Sequence, residues 1–162
     1  MSARRWPTPE AFRADELVSF GPYEIILELG LEELDDGPQA HGWSARDVLS
    51  HLVGWHEVAA VVARELVAGP TSPRKAAADA EWEARGDEIN DEMLREWRGL
   101  QLEAFRARAR GATADLRTAL AEVPVERWWG DEEYFDYFNS EMQAHYGDHR
   151  ADLEQVLGRA SA

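Results

Sequence analysis

The 162-residue chain carries 17 basic and 32 acidic side chains, a formal net charge of −15, and no cysteine. That balance argues against nucleic acid as the main partner, because phosphate binding needs a basic face, and against an anionic membrane surface. The absence of cysteine excludes a disulfide scaffold, an iron–sulfur site, a protein thiolate nucleophile and a cysteine zinc site.

The first predicted helix runs from about Pro9 to Leu34, with Thr8 as cap and Pro9 at the first helical position. Gly21 and Pro22 interrupt it, so a kink or two shorter helices are expected. The second helix is the clearest. Ser44-Ala-Arg-Asp47 resembles a capping box, and Val48, Leu49, Leu52, Val53, Trp55, Val58, Val62 and Leu66 recur at helical spacing up to Gly69-Pro70. Residues 70–86 read as a loop with at most a short helical turn. Asp87 to Trp97 forms a brief helix, and a third long helix spans about Leu100 to Val123, stopping at Pro124. After a loop, a fourth long helix spans about Glu132 to Gly158. No strand pattern or repeat is present. The expected fold is all-α, a four-helix bundle with long connections, as a single domain over residues 1–162. No run of about 18 apolar residues occurs, and the N-terminal segment lacks the apolar core of a signal peptide. A cytoplasmic protein is therefore expected. Sixteen arginines against one lysine, Lys75, suggest a GC-rich bacterial source.

The main chemical signal is His145-Tyr-Gly-Asp-His149. Histidines four apart share a helix face, and their imidazoles can reach one divalent ion. His51 lies on the apolar stripe of the second helix and would complete a triad if the second and fourth helices face each other. The alternative is a hydrogen-bonded core histidine and a chance surface pair. Glu141 and Asp152 lie one turn before His145 and after His149, and are candidate supporting groups. His56 is rotated about 140° from His51 around the helix, so it and His41 are expected to be structural or surface residues. Seven tryptophans are present. Core packing explains them, or else Trp55, Trp97, Tyr134 and Phe138 build an aromatic, substrate-binding pocket over the metal.

Three stretches carry a family resemblance: Trp43 to Glu57 with its histidine at 51, Asp87-Glu-Ile-Asn90 with Trp97, and His145 to Leu153. Together they resemble the DinB/YfiT-like superfamily of metal-binding four-helix bundles. The second stretch is similar to its ClbS/DfsB-like branch. The resemblance implies a divalent metal, zinc or nickel first, on His51, His145 and His149. It implies thiol-dependent S-transfer to a small electrophile, with mycothiol or another low-molecular-weight thiol as co-substrate. The alternatives it carries are a ClbS/DfsB-like self-resistance hydrolase and a non-catalytic, stress-related binding protein. Homodimers are frequent in such bundles, and the expected partners are a small molecule and a second copy.

Overall fold

The computed structural model describes residues 4–35 and 42–160, with side chains up to residue 158. His41 lies outside the described residues. Ten helices are found among them, and no strand: α1 (Pro9–Leu27), α2 (Leu31–Asp35), α3 (Ala45–Ala68), α4 (Pro73–Arg85), α5 (Asp87–Arg98), α6 (Leu102–Glu122), α7 (Val125–Trp128), α8 (Glu132–Asn139), α9 (His145–Asp148) and α10 (Arg150–Ala160). A wide π turn, Ser140–Ala144, joins α8 to α9. The bundle consists of α1, α3, α6 and the composite rod α8–α10, so the all-α reading holds.

The long helices begin where the sequence says. Thr8 Oγ1 accepts from the Ala11 N–H with Pro9 next in line. At α3, Ser44 and Asp47 satisfy each other's backbone N–H groups at 3.1 Å, a complete capping box. α3 then supplies the centre of the core. Leu49, Leu52, Val53, Val62 and Leu66 are fully buried, and the helix packs along its length on α6. Phe12 and Phe20 of α1, Phe105 and Leu116 of α6, and Phe138 of α8 close the core from the other sides. α1 and α6 are tied by Arg117, whose guanidinium forks onto Glu16 at 2.8 and 3.2 Å.

Three expectations change. Pro22 does not divide the first helix: α1 continues to Leu27 with Pro22 inside it. Val18, four residues earlier, is 75 % exposed, so the carbonyl that proline leaves unpaired sits on the solvated side. The break comes instead at residues 28–30, and α2 follows as a separate turn carrying the buried Leu34. Residues 73–85 are a helix rather than a loop. Ser72 caps it through the Lys75 N–H, Pro73 fills its first position, and Gly86, at φ +53°, turns the chain sharply into α5. The last helix is not one uninterrupted α-helix, since it widens at Ser140–Ala144 and breaks at His149, whose backbone leaves helical geometry at φ −100°, ψ 4°.

Candidate metal centre

α3 brings His51, and the rod brings His145 and His149, to one point in the bundle. One ring nitrogen from each lies within 4.8 Å of the others. His51 Nε2 and His145 Nε2 are 2.7 Å apart, and the ring centroids of the three pairs are 4.6, 5.2 and 5.3 Å apart. His51 is buried, whereas His145 and His149 are half-buried. Trp43, just before the α3 cap, packs on His51 at 5.0 Å and stacks on His149 at 6.1 Å. Asp152 Oδ2 lies 3.3 Å from His149 Nδ1 and fixes that ring.

Three imidazole nitrogens this close form a donor set that fits a divalent cation. Burial, reinforced by His149, pushes the His51 imidazole down to about 4. Burial, reinforced by His51 and His149, pushes His145 down to about 2. Both are therefore neutral at pH 7, the form that ligates metals. Between two neutral rings only one Nε2 can carry the shared proton. The other ring then bears its proton on Nδ1. In either arrangement both Nδ1 atoms, buried and without a partner, remain unsatisfied. Each such group costs about 1–3 kcal/mol. A cation held by His51 and His145 would leave each ring's other nitrogen as an N–H donor. The Asn90 side chain at His51 and the Glu141 carbonyl at His145 favour protonation of these rings, against the larger effect of burial. Zinc–nitrogen distances of about 2.0–2.1 Å place tetrahedral ligand atoms about 3.3 Å apart, so the two nitrogens, 2.7 Å apart, need part by about 0.6 Å.

The triad forms part of the wall of a cavity of about 820 Å³. Of the four aromatic residues expected over the metal, Trp55 lines this cavity. Its Nε1 donates to Asn90 Oδ1 at 3.0 Å. Trp97, Tyr134 and Phe138 do not line it. Trp97 is buried at the α5–α6 junction against Phe105 and beneath the Arg108 guanidinium. The Tyr134 hydroxyl accepts the Ser72 N–H at 2.8 Å, pinning the start of α4 to α8. Phe138 packs against Trp128 inside the core. The π turn is the reason for the last two. One extra residue in a turn rotates everything upstream by about 100°, which takes Phe138 off the His145 face and brings Tyr137 onto it. Tyr137 and Trp82 are the lining aromatics the sequence did not reveal. Trp82 lies on α4, where a loop was expected. Glu141 also lines the cavity. Burial, with Asp79 nearby, pushes its carboxyl up to about 8.

Behind the triad lies a buried polar chain. Arg117 and Tyr146 both donate to Glu16, the tyrosine at 2.9 Å. With its only proton so committed, the Tyr146 hydroxyl must accept from His56 Nε2 at 2.8 Å. His56 Nδ1 is then the acceptor for the Thr113 hydroxyl at 3.0 Å. The Tyr23 hydroxyl donates to the Tyr146 carbonyl at 2.6 Å. Tyr146 stands between the two histidines in sequence, so this chain anchors the turn that presents both.

The family model for the mycothiol maleylpyruvate isomerase N-terminal domain matches residues 28–131. The chain belongs to that family. The family is a member of the DinB-like superfamily, which agrees with the superfamily resemblance but does not single out the ClbS/DfsB-like branch. The matched span contains His51, Trp55 and the α4–α5 wall of the cavity, and ends before His145 and His149. No curated protein and no solved structure matches the chain. No helix among the described residues is long and apolar enough to cross a membrane.

Proposed function

We propose that the protein is a metal-dependent enzyme that joins a low-molecular-weight thiol, mycothiol first, to a small electrophile. The observation that carries this reading is the convergence of three imidazoles on the wall of a large cavity, in a chain of a family named for a mycothiol-dependent isomerase. A zinc or nickel ion there would lower the pKa of a thiol and hold its thiolate in the cavity. The chain has no cysteine, so the sulfur nucleophile must arrive with the co-substrate.

The protein's own groups have defined parts. His51, His145 and His149 hold the ion, and Asp152 orients His149. Trp43 covers the His51 and His149 rings and limits water on that side. Trp55, kept in place by Asn90, offers an apolar surface to the organic substrate. Glu141 lines the same cavity and, about half ionised at pH 8, can take up the thiol proton there.

The test is a conjugation assay with zinc- or nickel-loaded protein, mycothiol and a chromogenic aryl halide. Thiol-dependent product formation that disappears in His145→Ala supports the reading. Full metal occupancy with no rate above the metal-free protein, across mycothiol, bacillithiol and glutathione, overturns it.

A further inference from the structure

A metal site alone does not account for the charge of the cavity. Among the described residues its wall carries the carboxylates of Asp79, Glu83, Glu133, Asp136, Glu141 and Asp148 against a single cation, Lys75. That lysine is already engaged, donating to Asp79 at 2.8 Å and to Glu133 at 2.7 Å. A divalent ion on the three histidines leaves the wall negative.

Glu141 differs from the carboxylates at the rim. It is half-buried beside Asp79, where the other wall carboxylates are exposed, and its carboxylate has no hydrogen bond or ion pair. A cation entering the cavity could pair with this carboxylate without displacing an existing partner. The same cavity holds an indole pair, Trp55 and Trp82, edge to face at 5.9 Å. Indole faces attract organic cations, the more so away from water.

We propose that this cavity selects an organic cation: a ligand with an ammonium group received by Glu141 and Asp79, and an apolar body held against Trp55 and Trp82. As a statement about substrate it rests on the function proposed above. As a statement about the cavity it stands without a bound metal. It sets this chain apart from the dicarboxylate in its family's name, since an anionic substrate would meet a negative wall with its only lysine already paired.

The experiment is calorimetric titration of the full chain, both metal-free and zinc-loaded, with benzyltrimethylammonium and with phenylacetate as a comparable anion. The cation should bind about tenfold more tightly than the anion, or better. Glu141→Gln should weaken it about threefold or more, while Glu10→Gln, a surface change remote from the cavity, should leave it unchanged. Equal or tighter binding of phenylacetate overturns the proposal. So does an equal response to Glu141→Gln and Glu10→Gln, which would mean diffuse attraction to an acidic protein. Cation selectivity in a protein that takes up no zinc would remove the metal reading and keep this one. Zinc uptake with a preference for phenylacetate would do the reverse.

Discussion

The buried histidine behind the site makes stability depend on pH in a calculable way. His56 is fully buried, and burial, with Arg117 nearby, pushes its imidazole from 6.5 down to about 3. Below pH 6.5 the unfolded chain binds a proton at this residue that the folded chain refuses. Stability from this group is therefore complete above pH 6.5 and is lost as pH falls towards 3. Each pH unit in that window costs about 1.4 kcal/mol, so the step from 6.5 to 5 costs about 2 kcal/mol. The assay is urea unfolding at pH 7 and pH 5, in the presence of chelator, for wild type and His56→Gln. Glutamine can still donate to Tyr146 and accept from Thr113, but it does not titrate. The contributions of His51 and His145, and of the many carboxylates, largely cancel in the comparison. Wild type should lose about 2 kcal/mol more than the variant between the two pH values. Equal losses would refute the reasoning, because they would mean that folded His56 accepts a proton as readily as the unfolded chain does.

Tyr146→Phe removes the donor to Glu16 and strands His56 Nε2. It should cost about 1–3 kcal/mol in urea unfolding and loosen metal retention at the adjacent histidines. Gly54→Ala should change stability by no more than about 1 kcal/mol, since the added Cβ would lie 2.1 Å from Met93 Sδ where α5 crosses α3 and must displace that flexible side chain, against about 1 kcal/mol gained in helix propensity. A shift of α5 along with Met93 would also move Asn90 and quench or shift Trp55 fluorescence, whereas an unchanged spectrum would mean that Met93 alone gives way. Ser44→Ala breaks the capping box and should lower stability by about 1 kcal/mol.

The parts of this protein that could be read in the sequence are those that follow from helical periodicity. α3 announces itself through the Trp43-Ser44 cap and its apolar stripe. His51 sits on that stripe, and an i, i+4 pair on the last helix needs only helical geometry to share a face. The bundle brings the three rings together without any further signal. The outer wall of the cavity was not legible. α4 buries little apolar surface, Ala78 being its one buried apolar residue, so it has no stripe to detect. Its start signal, Ser72-Pro73, could have revealed it. The π turn has no sequence signature, yet it decides that Tyr137 rather than Phe138 faces the histidines. Trp97 reads as a pocket residue only if α5 is assumed to point into the cavity. In the fold, the end of α5 turns into the core against Phe105.

The central claim is that His51, His145 and His149 hold one divalent ion. Plasma mass spectrometry on untagged protein, after incubation with zinc or nickel and desalting, tests it directly, with His51→Ala, His145→Ala and His149→Ala alongside and their folding checked by circular dichroism. The account predicts about one equivalent of metal in wild type and a large loss in each folded variant. Wild type that retains no zinc or nickel, or variants that retain as much as wild type, would contradict it.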